Sequence, residues 1–234
     1  LGLSTFMGCP LDVYIVIFIR MVRLVAFHGI QIMLIVYLKE LKFEDQIVGL
    51  FMTLTFTGDL VTSFFLSIIA DNVGRRNIFM FSSVTMAVTG MAFLFISDPM
   101  ILMIIAFIGI MTPGGDVGPF KSLESSSLAL IVPYEKRSDI YAWYGFLPKC
   151  SASIGVLGAG FLINAVEDNF GYSKLKAYKS VFVCYILIAG LMFFASYFLS
   201  DAIEWKHEEV FSPVDKKNPE EEAVETMISP SSVS

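Results

Sequence analysis

The sequence predicts an all-α, polytopic membrane protein of six transmembrane helices, and three observations predict it. The 234 residues are 56% hydrophobic and only 16% charged, whereas soluble domains carry about 25% charged residues. Mean hydropathy is +0.71, so the apolar side chains exceed what a water-facing fold can enclose. They gather into six runs, each near or above the roughly 20 residues that a bilayer core about 30 Å thick requires of a helix.

The runs are Tyr14 to Leu38, Ile47 to Ile69, Ile78 to Ile96, Met100 to Val132, Ile140 to Ile163 and Val181 to Leu199. Short charged or turn-forming connections separate them: Lys39 to Asp45, Asp71 to Arg76, Ser97 to Pro99, Pro133 to Arg137, and Glu167 to Lys179. No small-residue cleavage site follows the first run, so it is expected to remain as a membrane helix. An even number of spans puts both termini on one side, and the Lys and Arg bias of the connections sets which side. With the termini cytoplasmic, nine basic residues lie inside (Arg20, Arg23, Arg75, Arg76, Lys136, Arg137, Lys206, Lys216, Lys217) and five outside (Lys39, Lys42, Lys174, Lys176, Lys179).

The fourth run is too long for one straight helix, since about 33 residues at 1.5 Å each would reach roughly 50 Å. Its middle, Thr112 to Pro119, holds two prolines and three glycines around Asp116. That composition predicts a kink or local unwinding, tolerated where the freed backbone groups face protein or a watery cavity.

Residues 1–200 therefore read as a six-helix bundle, and residues 201–234 as an acidic, disordered cytoplasmic tail or linker between two halves. Nine of the 22 acids but three of the 16 bases lie from Asp201 onward, so the net charge of −6 belongs to the tail. Such a segment buries too little apolar surface to fold alone. The body has no basic surplus to follow a phosphate backbone, which argues against a nucleic-acid partner. Cys9, Cys150 and Cys184 have neither a metal-ligand spacing nor a disulfide framework. No glycine-rich nucleotide loop, metal cluster or paired nucleophile supports an enzyme, a cofactor or a metal.

Ionisable groups inside a bilayer are costly unless paired or wet, so they are the candidate functional residues. They fall on the first, second, fourth and fifth runs: Arg23 and His28 with Gln31 one turn on, Asp59, then Asp116, Lys121 and Glu124, then Lys149. Asp59 lies about 18 Å, Glu124 about 14 Å and Lys149 about 15 Å from the cytoplasmic surface on a 1.5 Å rise. An acid of the second or fourth run and the base of the fifth thus share one level, as a substrate or proton-coupling site or as an ion pair that holds the bundle together. Arg23 is expected to reach the inner headgroups. His28 either faces a cavity or satisfies a helix contact. On the fifth run Ser151, Gly155 and Ala159 recur every four residues, a small-residue stripe that lets membrane helices approach closely.

An inverted three-plus-three repeat is expected to leave weak internal similarity. Asp71-Asn-Val-Gly74 after the second run matches Asp168-Asn-Phe-Gly171 after the fifth, the equivalent junction of a second triplet.

The turn after the second run reads Ser67-Ile-Ile-Ala-Asp71-Asn-Val-Gly74-Arg75-Arg76. It resembles the GxxxDxxGRR loop of the major facilitator superfamily of transporters at Asp71, Gly74, Arg75 and Arg76, with Ser67 in place of the first glycine. Pro133-Tyr-Glu-Lys-Arg137 resembles the PxxxR loop after that family's fourth helix, and Gly118-Pro-Phe-Lys-Ser-Leu-Glu124 with Tyr141-Ala-Trp-Tyr144 is similar to a group of its fungal members. The antiporter signature on the fifth helix is matched poorly, with Ser151, Val156 and Ala159 at three of its positions. The basic residue that many members carry early in the fourth helix is absent.

The resemblance implies one half of a twelve-helix fold, with the first and fourth helices lining a central cavity and the third and sixth facing lipid. It implies a gate at the Asp71 turn, where the aspartate meets a helix N-terminus of the other half and the arginines tie loop to loop. The function implied is secondary active transport of a small solute by alternating access, driven by protons where Asp59 or Glu124 takes up the coupling proton. The expected partners are the bilayer, the solute, and a missing C-terminal half or second subunit. The alternative is a non-transporting membrane protein, a truncated remnant or assembly partner, in which the same charges are structural.

Overall fold

In hydrocarbon every backbone N–H and C=O must find its partner within its own segment, so long apolar runs become helices. The computed structural model describes residues 2–108, 119–169, 171–200 and Ile203, and within them all regular structure is helical. A short α1 (Leu3–Met7) leads into α2 (Leu11–Glu40), α3 (Asp45–Val73), α4 (Arg75–Phe95) and α5 (Pro99–Ile108). Next come α6 (Pro119–Ile131), a 3-10 turn (Tyr134–Lys136), α7 (Arg137–Asn164), a π turn (Ala165–Asn169) and α8 (Lys174–Tyr197). Among the described residues four stretches are long and apolar enough to cross a membrane: Leu11–Glu40, Arg75–Phe95, Tyr134–Asn169 and Lys174–Tyr197.

The element boundaries have local causes. Pro10 stands just before α2, and Pro99 opens α5, where its missing N–H is not needed. Asp98 caps α5 by accepting hydrogen bonds from the backbone N–H of Met100 (2.9 Å) and Ile101 (3.2 Å). A single residue, Gly74, joins α3 to α4 at φ 90° and ψ 140°, a conformation that a Cβ would strain.

The expected fourth run differs from what is described. Its two ends form separate helices, α5 and α6, while the expected break at Thr112 to Gly118, with Asp116, lies outside the described residues. The sixth run starts earlier than expected, at Lys174 rather than Val181. Hydropathy alone put Lys174, Lys176 and Lys179 in a loop, yet lysine is a good helix former and its charge keeps to the exposed first turns. All described residues belong to one unit, Leu1–Glu204; the expected tail, apart from Ile203, lies outside them.

α2 is the central column. It packs mainly on α7 and α8, while α4 packs on α8 and α3 on α5. The small-residue stripe of α7 makes its contact with α2 close: Ser151, Gly155 and Ala159 are buried, and a Cβ at Gly155 would fall on the Val25 carbonyl. Gly158 and Gly160 lie open instead. At the end of the bundle away from Arg75, an aromatic cluster ties α2, α4 and α8. Phe93 and Phe182 stack with centroids 5.2 Å apart, Tyr37 meets Phe182 edge-on at 5.1 Å, and the Tyr37 hydroxyl donates to the Phe93 carbonyl at 2.7 Å.

Candidate functional site

Two arginines on α2, Arg20 and Arg23, are one helical turn apart and so share a face. They lie roughly 14 and 18 Å beyond the start of the helix, deep for side chains at a headgroup. The structure turns both toward Glu124 of α6. Arg20 Nη1 donates to Glu124 Oε2 at 2.8 Å, and Arg23 Nη2 donates to Oε1 at 2.5 Å. Glu124 is fully buried, Arg20 nearly so, and the Arg23 side chain is 15% exposed.

Tyr144 of α7 closes the cluster. Its hydroxyl donates to Glu124 Oε2 at 2.8 Å and accepts from Arg20 Nη1 at 2.8 Å. The Arg20 guanidinium carbon stands 4.4 Å from the Tyr144 ring centre, a cation–π arrangement strengthened by desolvation. Three helices are thus held by one carboxylate, which buried alone would cost several kcal/mol. The connection after α6 serves the same assembly. Arg137 donates to the carbonyls of Ala129 (2.6 Å) and Val132 (3.1 Å), placing a cation on the negative end of the α6 dipole. The Tyr141 hydroxyl donates to the Ser125 carbonyl at 2.6 Å.

This geometry revises two expectations. Arg23 does not reach the headgroups; it pairs with Glu124, because a buried carboxylate binds a guanidinium more strongly than water-exposed lipid does. The base that meets Glu124 is not Lys149 of α7, which is exposed, but the arginines of α2. Arg20 and Tyr144 were the residues missed. The available signal was the three-residue spacing of Arg20 and Arg23, at a depth too great for comfortable snorkelling.

The remaining candidates fall as follows. Asp59 is half-buried on α3, His28 is half-buried and Gln31 exposed on α2, and Lys121 is exposed on α6. Asp71 lies in the last turn of α3, with its side chain outside the described residues. Of the two arginines that follow Gly74, Arg76 binds the end of α8 and Arg75 a carbonyl just beyond it. Arg76 Nη2 donates to the Tyr197 carbonyl at 2.8 Å and its guanidinium lies 5.1 Å from that residue's ring centre. The buried Arg75 donates through Nη1 to the Ile203 carbonyl at 3.2 Å. Beside them Asp12, at the start of α2, accepts from Ser200 N (3.0 Å) and Ser200 Oγ (2.6 Å).

Comparison with known proteins places these features in context. Residues 16–226 match the profile described as Major Facilitator Superfamily. An uncharacterized membrane protein of Saccharomyces cerevisiae is 30% identical over 203 residues, a match that covers 82% of this chain and 45% of that protein. The chain therefore spans less than half the length of this curated relative.

Proposed function

Since this chain belongs to the major facilitator superfamily and is a multi-pass membrane protein, we propose that it is the N-terminal six-helix half of a secondary transporter. In this reading it moves a small solute by alternating access. The observation that carries the reading is the segregation of charge. Charged side chains inside the spans sit on α2, α3, α6 and α7, whereas α4 from Ile78 to Phe95 and α8 from Ser180 to Tyr197 contain none. The exposed residues of α4 and α8 are large and apolar, among them Phe81, Val88, Met91, Leu187 and Phe194. α4 and α8 thus suit lipid, and α2, α3, α6 and α7 suit a polar cavity.

The six-span count takes α5 and α6 as two parts of one membrane crossing and α3 as another. Packing supports a three-plus-three inverted repeat. Exchange of the two triplets converts the α2·α7 contact into the contact of α5 and α6 with α3, and both contacts are present. The matched junctions also share a backbone feature, since Gly74 and Gly171 both adopt positive φ, 90° and 61°. The Asp71 turn is proposed as the cytoplasmic gate, with Gly74, Arg75 and Arg76 holding it to the end of α8. Asp59, Asp116, Lys121, Glu124, Lys149, His28 and Gln31 are proposed as the cavity set, with protons as a candidate driving ion.

The test is uptake by the native-length protein in sealed vesicles against a panel of anionic, neutral and cationic solutes, with a pH gradient imposed or collapsed. Saturable uptake of one solute class, impaired by Asp71→Asn, is expected. Absence of uptake for every class, together with a cavity cysteine that reacts from one side only under all conditions, would defeat the transport reading.

A further inference from the structure

We propose that the solute is an oxyanion, a carboxylate or phosphate, bound between Lys121 of α6 and Lys149 of α7. This inference rests on the transport reading above and specifies its substrate class. Both lysines are exposed, and among the described residues neither side chain has an ion pair or a hydrogen bond. Both lie far from either membrane surface. Lys121 is about 15 Å before the end of α6 and Lys149 about 18 Å beyond the start of α7, so the two share one depth. An ammonium facing lipid there costs several kcal/mol, so both must face water, a partner bundle or a ligand.

The surface of α7 tells these apart. Its buried face, Ile140, Tyr144, Ser151, Gly155 and Ala159, packs inward. The rest divides at 100° per residue into two stripes. One is Phe146, Cys150, Ile154, Leu157 and Phe161, large and exposed, which suits acyl chains. The other is Ala142, Gly145, Lys149, Ser153 and Gly160, small or polar and also exposed, with the half-buried Val156 among them. Lys149 stands in the middle of the small stripe, where short neighbours leave room around the ammonium. A lysine seated to bind a carboxylate on its own helix would have one nearby, and this stripe has none.

The arginine cluster supplies the floor. The Tyr144 hydroxyl lies 3.5 Å from the backbone carbonyl of Lys121, which sets the Lys121 backbone beside the Glu124 network. Lys149 follows about 7.5 Å further along α7. Glu124 is already occupied by Arg20, Arg23 and Tyr144, and among the described residues no ion pair joins it to either lysine. What remains toward the small stripe is positive, flexible and hydrogen-bond donating, which is the complement of an oxyanion.

The test uses the native-length protein with inorganic phosphate, malate, glucose and spermidine as probes, in thermal unfolding in detergent and in vesicle uptake. Phosphate or malate is expected to raise Tm and to be taken up. Lys121→Gln and Lys149→Gln should each weaken that response about tenfold or more, and Lys149→Arg should retain most of it. A response to phosphate alone identifies free phosphate, and one to malate identifies a carboxylate; either supports the site. If neither anion shifts Tm, or both glutamine variants respond like the parent, the site is refuted. It is equally refuted if Lys149→Gln lowers Tm without any probe and no anion raises it, since the lysine is then half of a structural ion pair. Uptake of glucose or spermidine that ignores both substitutions overturns the oxyanion but leaves transport standing. Anion-dependent Tm shifts without uptake of any probe do the reverse.

Discussion

Glu124 is the residue on which three helices converge, and its energetic weight follows from burial. Removing its charge leaves two guanidinium groups in the bundle interior without their shared counter-ion, which costs about 3–5 kcal/mol for a buried pair. Glu124→Gln should therefore destabilise the protein by that order, and Tyr144→Phe by less, about 1–3 kcal/mol. The double variant Arg20→Gln/Glu124→Gln should fall short of the sum of its singles by about 0.5–3 kcal/mol. Strict additivity in a detergent unfolding series would mean that the cluster is not a unit. A second, smaller test concerns Cys9, whose thiol is held above its ordinary range by burial, opposed more weakly by the Lys136 ammonium. Less thiolate at neutral pH means slower maleimide labelling than for a free peptide thiol, with the rate still climbing at alkaline pH where the peptide has levelled off; coincident profiles would contradict this. Of these residues, Glu124 was legible in the sequence as an acid deep in an apolar run, but its partners were not. Arg20 and Glu124 are 104 residues apart, and hydropathy carries no information about which runs lie side by side. The depth of the two arginines signals that they need a partner, but nothing in their own run says which residue supplies it.

At the scale of elements, the legible part was whatever short-range chemistry decides. Apolar runs bounded by charge became helices, Pro99 and Gly74 marked real boundaries, and the four-residue stripe of Ser151, Gly155 and Ala159 became the face that α7 presents to α2. What hydropathy misjudged was the start of α8, where lysines extend a helix without changing its apolar count. The stripe yields a contrast between neighbouring glycines. A Cβ at Gly155 meets the Val25 backbone, while one at Gly158 meets nothing within 4 Å. Backbone cannot step aside as a flexible side chain can, so Gly155→Ala should cost about 1–3 kcal/mol and Gly158→Ala should stay within about 0.5 kcal/mol of the parent. Because α2 carries Arg20 and Arg23 while α7 carries Tyr144, the separation forced at Gly155 should also reduce the response to any solute that binds beside them. Equal melting temperatures for the two alanine variants would show that the helices do not meet as closely as the backbone indicates.

For the whole molecule, the charge distribution makes a statement about topology and another about completeness. Setting aside Arg20 and Arg23, which belong to the Glu124 cluster, the inside surplus shrinks to seven basic residues against five, yet its sign survives. Cysteines placed at Glu44 and Lys176 should therefore react with an impermeant reagent in intact cells, and one at Lys136 should not; the opposite pattern would invert the orientation. Completeness follows from the exposed lysines. On the proposed six-span reading the chain supplies one bundle, and alternating access requires two that rock about a site between them. In a lone bundle Lys121, Lys149 and the small stripe of α7 would meet lipid, at several kcal/mol for each uncompensated charge. A polar face of this kind calls for a second bundle across it, from the rest of a longer chain, a separate subunit or a second copy. The curated yeast relative, of which the match covers 45%, has room for such a half. Residues 1–234 expressed alone should insert in the membrane but fail to accumulate solute, and co-expression with a matching C-terminal half should restore uptake. Photobleaching counts decide the matter: sustained uptake by vesicles that each hold one copy of this chain would mean that six helices suffice, whereas uptake confined to vesicles with two copies would identify the second bundle as this chain itself.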